Sequence, residues 1–195
     1  MPRPKTITNE EILTYARNLF LKEGAKASTR TLAKIAGISE AVIFQRFNTK
    51  EALFFAAMVM PSTQIDKIFD LVQPGQKSVA TNLELLSLQI LDYFREVMPV
   101  FLSLLSHPAS NKQTLLESHT MPGIQLSIKL TEYLNAEVQL GRIRTDNVTA
   151  VAGLLLAYLH SLALSENISS SQSMGTENAI SDAIVALWTG IAPLA

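Results

Sequence analysis

The chain has 195 residues, no cysteine, 48% apolar composition and a formal charge of −1. That is enough for one compact helical core or a small module plus a larger body, and it excludes disulfides and thiolate metal sites, as suits a reducing cytoplasm. The charge is uneven, with residues 1–60 carrying a net +4 and residues 61–195 a net −5. A basic N-terminal third is the footprint expected of a nucleic-acid-binding end.

Residues 1–24 lack the apolar run of a signal peptide, so the chain is expected to stay in the cytoplasm. Arg3 and Lys5 lie in a terminus read as unstructured, a minor-groove arm being their other possible use. Thr8 and Glu11 make a capping box, with Ile7 and Ile12 as its hydrophobic staple, which starts a first helix at Asn9. Ile12, Leu13, Ala16, Leu19 and Phe20 form its apolar stripe, and Gly24 ends it.

Residues 28–50 read as two short helices joined by a tight turn. Ser28 caps a helix carrying Leu32, Ala33, Ile35 and Ala36, Gly37 supplies the turn, and Ser39 caps a second helix stapled by Ile38 and Ile43. At 100° per residue, Ile43 and Phe47 share a core face, while Ala41 and Gln45 fall opposite. A small residue beside a long amide suits an element lying in the major groove. Thr49 caps a further helix whose first residue, Lys50, puts a cation at a helix N-terminus, where phosphate binds readily. By itself this pattern could also be any tight helical hairpin.

The run resembles the tetracycline-repressor (TetR) family of bacterial transcription regulators. The resemblance rests on Leu19-Phe20, Gly24, Ser28-Thr29-Arg30, Leu32-Ala33, Ala36-Gly37-Ile38-Ser39, Ile43-Phe44, Phe47 and Lys50-Glu51-Ala52-Leu53, about a quarter of the chain. It implies that Thr29 and Arg30 touch DNA from the supporting helix, that Ser39, Glu40, Ala41, Val42, Phe44 and Gln45 form the reading surface, and that Lys50 holds a phosphate. Where the family usually has tyrosine this chain has Phe44, so an apolar contact is expected there. Glu40 would either accept from a cytosine amino group or repel the backbone.

The following helix is expected to run from Lys50 toward Pro61, and periodicity resumes over 64–72 before the Pro74-Gly75 turn. Helices are then expected over 77–97, 100–106, 112–119, 123–140, 147–166 and 177–191, with Pro99 and Pro122 as first-turn residues and 167–176 as a polar loop. Nothing alternates with the period of a strand. The expected fold is all-α, with about nine to ten helices: a three-helix helix-turn-helix domain over 1–48, then a helical effector-binding and dimerisation domain over 49–195.

Helix 147–166 carries two stripes, Val148, Val151, Leu155, Leu159 and Leu162 on one face and the small residues Ala150, Gly153, Ala157 and Ser161 on another. It is short for a membrane span and has no flanking aromatic or basic belt, so no membrane is expected. With Ile180, Ile184, Leu187, Trp188 and Ile191 of the last helix, its large stripe (Val151, Leu155, Leu159, Leu162) is expected to form a four-helix homodimer interface. An intramolecular hairpin is the alternative. Gln89, Tyr93, His119, Met121 and Tyr133 are candidates to line an effector pocket, though each could equally be ordinary packing.

Catalytic, P-loop and metal-ligand motifs are absent, and no cofactor or metal is expected. The expectation is therefore a non-enzymatic, sequence-specific regulator. It would be a repressor released from a palindromic operator by a small, largely apolar effector. An architectural DNA-binding protein without a ligand, or a helical enzyme or lipid carrier, are the alternatives.

Overall fold

The structure, a computed structural model, describes residues 7–59, 63–110, 112–144, 147–169 and 175–192, with the side chains of residues 25, 63–64, 112–122 and 169 outside that description. Among the described residues the chain is helical, with no strand. The α-helices are α1 (Asn9–Glu23), α2 (Thr29–Ala36), α3 (Glu40–Phe47), α4 (Lys50–Ala57), α5 (Thr63–Phe69), α6 (Val79–Ser106), α7 (Lys112–Gln139), α8 (Val148–Ser169) and α9 (Thr176–Ile191), plus a 3-10 turn at Gly24–Lys26. Arg3 and Lys5 lie outside the described residues.

Local chemistry sets the first boundaries as expected. The Thr8 hydroxyl accepts from the Glu11 N–H at 3.1 Å while the Glu11 carboxylate accepts from the Thr8 N–H at 2.8 Å, closing the capping box. Ser28, Ser39 and Thr49 cap α2, α3 and α4 through their side chains. Asn147 does the same for α8, accepting from the Ala150 N–H at 3.2 Å.

Two prolines do not break helices where the sequence suggested. One helix, α6, replaces the expected pair over 77–97 and 100–106 and carries Pro99 inside it. Likewise α7 runs unbroken through the expected boundary at Pro122. A proline removes one backbone hydrogen bond and crowds one turn, a penalty of about 3 kcal/mol. Burial of Val97, Met98 and Val100 on the turns around Pro99 offsets it.

The chain divides into two compact units, residues 1–60 with 100–110, and residues 61–99 with 111–195. Helix α4 buries Leu53, Phe54 and Ala57 in the first unit's core. That core also takes Ile12, Ala16, Leu19 and Phe20 from α1, Leu32 and Ala33 from α2, Ile43 from α3 and Val100 from the end of α6. Phe20 meets Phe54 edge to face at 5.2 Å, and His107 stacks on Phe54 at 4.4 Å.

The second unit is built around Leu83, Leu86, Ile90 and Leu91 of α6, Leu126, Leu130 and Leu134 of α7, and the inward faces of α8 and α9. Helix α8 is long and apolar enough, by length and composition, to cross a membrane, yet buries Val151, Ala152, Leu155, Leu159 and Ala163 in this unit. A fully buried carboxylate, Glu137, accepts from the Tyr133 hydroxyl at 2.8 Å and the Gly75 N–H at 3.3 Å and pairs with Arg142 at 3.2 Å. Arg142 also donates to the Lys77 carbonyl, so the cluster fastens the turn before α6 to the end of α7.

Glu166 of α8 accepts two bonds from the Arg95 guanidinium, at 2.7 and 2.9 Å, and one from the Thr176 hydroxyl at 2.8 Å. The Arg95 hydrogen bonds hold its carboxyl below the ordinary value of 4.5, outweighing burial, which acts the other way. The lowered value means that the pair stabilises the fold above about pH 4.5 and that this contribution fades as pH falls through the folded-state value. Thermal melts of wild type and Glu166→Gln at pH 6 and pH 3 check it: the variant is expected to lose less stability than wild type over that interval.

Candidate nucleic-acid interface

Eight residues make only about two turns, too few for an isolated helix to persist in water. Helix α3 is held instead by tertiary packing and by its ends. Ile43 is 1% exposed in the first unit's core, and Ile38 and Phe47 pack against that core. The Ser39 hydroxyl accepts from the Val42 N–H at 3.4 Å, and the Asn48 N–H donates to the Phe44 carbonyl at 2.8 Å. Gly37, at φ 67°, makes the turn into α3, a left-handed conformation that glycine adopts without strain.

With Ile43 turned inward, the opposite face carries Ala41 and Gln45, with Phe44 at its flank, all exposed. Ala41 and Gln45 are thus free on the side expected from their spacing to Ile43. Phe44, a large apolar side chain, stands 40% exposed, as suits contact with a thymine methyl rather than a phosphate. Ser39 is exposed and Val42 half-buried at the flanks. Arg30, in the first turn of α2, and Lys50, the first residue of α4, are both exposed, and Lys50 lies at a capped helix N-terminus.

Thr29 does not fit the expected role of a direct contact. It is 8% exposed, and its hydroxyl donates to the Glu40 carboxylate, bonding the first turn of α2 to the first turn of α3. Two arginines unassigned by the sequence reading also have structural work. Arg46 donates to the Ile7 carbonyl at 2.8 Å and to Asn9 at 3.2 Å, and Arg17 donates to the carbonyls of Ala57 and Val59 at 2.6 Å, binding the end of α4. Their partners lie 37 to 42 residues away, so no local signal could have revealed them.

The described members of the expected effector set, Gln89, Tyr93 and Tyr133, differ in their surroundings. Gln89 is exposed and lines an open cleft of about 530 Å³ with Leu88, Asp92, Arg95 and Glu177. Tyr93 and Tyr133 are buried, the phenol of Tyr133 being committed to Glu137 and its pKa pushed up by burial. The side chains of His119 and Met121 lie outside the described residues. Among the described residues no three metal-ligating side chains cluster.

The expected dimer stripe also divides differently. Val151, Leu155, Leu159, Ile180, Ile184 and Ile191 are buried within the single chain, and Leu162, Leu187 and Trp188 are half-buried. The intramolecular alternative holds for the six buried residues. What α8 leaves uncovered is the small-residue stripe, Ala150, Gly153, Ala157 and Ser161, beside Leu154.

A capped helix-turn-helix with one face locked in a core and the other exposed has the form of a DNA-reading module. Comparison with known proteins agrees. Residues 12–57 match the model for bacterial regulatory proteins of the tetR family. The chain is 23% identical over 167 residues, 83% of this chain and 86% of its relative, to the uncharacterized HTH-type transcriptional regulator YvkB of Bacillus subtilis (strain 168). A TetR transcriptional regulator from Chloroflexus aurantiacus J-10-FL superposes with a TM-score of 0.71 at 16% identity, covering 96% of each chain. The regulator FadR from Bacillus subtilis, solved with stearoyl-CoA, does so at 0.67 and 14%, over 91% of this chain and 98% of that one. The family match covers the helix-turn-helix segment, and the likeness in fold to solved regulators extends over most of the chain.

Two variants separate reading from clamping. Gln45→Ala is expected to cost about 1–3 kcal/mol on the best site and to relax one base position. Lys50→Ala is expected to weaken all sequences alike and to flatten the salt dependence by roughly one ion per chain. Titrations over a salt series with matched and scrambled DNA distinguish the two.

Proposed function

We propose that this chain is a cytoplasmic repressor that binds a palindromic operator as a homodimer and releases it on binding a small, largely apolar effector, with no catalytic role. The observation that carries the DNA-reading part is the face of α3. Ala41, Phe44 and Gln45 are exposed on a helix whose other side is fixed by Ile43. Ser39, Glu40, Val42, Arg30 and Lys50 surround that face, and Thr29 supports it from beneath.

Dimerisation is supported by what α8 and α9 leave uncovered. Leu154 is 67% exposed and Val185 of α9 is 60% exposed, with Ala150, Gly153, Ala157 and Ser161 exposed on α8 and Ala186 on α9. Small residues let helix backbones approach closely, and two such helices per chain close a two-fold four-helix interface. A two-fold dimer also reads twice the DNA that one helix-turn-helix can.

Control by an effector is supported by the likeness in fold to FadR of Bacillus subtilis, which was solved with stearoyl-CoA. In this chain the Ser87 hydroxyl of α6 is fully buried and has no hydrogen-bond partner, a polar group that a ligand could satisfy amid an aliphatic core. By linkage, an effector that weakens operator binding must itself bind less tightly to the operator complex, by the same factor.

Selection from a random DNA pool tests the proposal: a two-fold symmetric site is expected, with half-sites a helical turn or more apart. Enrichment of no sequence, with binding that depends only on salt, would instead identify an architectural protein. For assembly, Leu154→Glu is the informative variant. The side chain is exposed within one chain, so the fold should melt normally while sedimentation shows monomers at concentrations where wild type is dimeric. A variant that stays dimeric would place the interface elsewhere.

A further inference from the structure

We propose that Glu40, held in place by Thr29, determines specificity by requiring a base with an exocyclic amino group, cytosine above all, at one base pair of each half-site. The inference rests on the DNA-reading assignment of α3 and names one base that this face selects.

Glu40 is the first residue of α3, and the N-terminal residues of a recognition helix are those that meet base edges. A glutamate there has several rotatable bonds and, unanchored, would swing to solvent. Here one carboxylate oxygen, Oε1, accepts from the Thr29 hydroxyl. Thr29 is itself the first residue of α2, 8% exposed and β-branched, so its own rotamer is restricted. The bond is therefore anchored on the buried side and leaves the second oxygen, Oε2, as the polar atom that Glu40 offers outward.

An ionised carboxylate only accepts hydrogen bonds. In the major groove guanine presents N7 and O6, both acceptors, and thymine presents O4, so both oppose it. Adenine offers its N6 amino group but sets the N7 acceptor beside it. Cytosine offers the N4 amino group with no acceptor of its own on that edge. The fixed carboxylate thus ranks cytosine first, adenine second, and guanine and thymine last. Had Glu40 lacked its tie to Thr29, simple repulsion from phosphate would have been its main effect.

The test is selection from random DNA with wild type, Glu40→Gln, Thr29→Val and Thr29→Ser, with affinities then measured on the four base pairs at the assigned position. Wild type is expected to show one position per half-site where replacing cytosine lowers affinity by about tenfold or more. Glu40→Gln, which can both donate and accept, should exchange that preference for adenine. Thr29→Val should flatten the same position while the position read by Gln45 stays selective, and Thr29→Ser, which keeps the hydroxyl, should retain the cytosine. Unchanged base preferences in Glu40→Gln would overturn the proposal, as would a Thr29→Val protein that binds every sequence equally more weakly with its preference intact. If Thr29→Val does not fold, Glu40→Gln and Thr29→Ser still decide. Wild-type protein that enriches no site would instead remove the DNA-reading assignment and this inference with it.

Discussion

The reading helix is too short to be a helix by itself, and the structure around it answers that constraint. Its eight residues contribute one fully buried side chain, Ile43, to a core otherwise supplied by α1, α2, α4 and the end of α6. Fixing Ile43 fixes the rotation of α3 about its axis, and with it which side chains face outward. Substituting a smaller residue there would leave a cavity and also free that rotation, so stability and recognition are both expected to depend on this contact. The caps at Ser39 and Asn48 then set where the helix begins and ends, which places Glu40 at one end and the Thr49-capped start of α4 just beyond the other.

Charge in the first unit does not translate directly into DNA contact. Of its arginines, Arg17 satisfies carbonyls at the end of α4 and Arg46 anchors the start of α1, so two cations that raise the net charge serve as internal braces. Their guanidinium forks can hold two acceptors at once, which lysine cannot do with the same planar geometry. The basic excess of residues 1–60 therefore overstates the cations available to phosphate.

Boundaries governed by neighbouring residues were legible in the sequence: the Thr8 capping box, the Ser28, Ser39 and Thr49 caps and the Gly37 turn each stand where local chemistry puts them. Face assignment in α3 was legible too, because one strong apolar position opposes small and polar ones. Features decided by distant partners were not. Pro99 suits a helix start by local rules, yet packing on both sides of it keeps α6 continuous. In α8 periodicity gives a stripe of large apolar residues and a stripe of small ones without telling which one the chain itself covers. The large residues fill the chain's own core, and the small ones remain outside. Tyr133 looked available as a pocket group, but its hydroxyl is committed to Glu137, a carboxylate that needs every donor it can find once buried.

A carboxylate on a DNA-reading face weakens non-specific attraction, and that loss has a use. Specificity is a difference between affinities, and it grows when the wrong sequences are made worse as readily as when the right one is made better. With Arg17 and Arg46 taken up in bracing, fewer cations are left to attract phosphate without regard to sequence, which gives a single mismatched base more weight in deciding whether the protein stays bound. Glu40 adds repulsion wherever the base edge offers only acceptors. The bond from Thr29 makes that repulsion directional, because it couples the carboxylate to the same rigid pair of helices that Ile43 and Leu32 hold in the core.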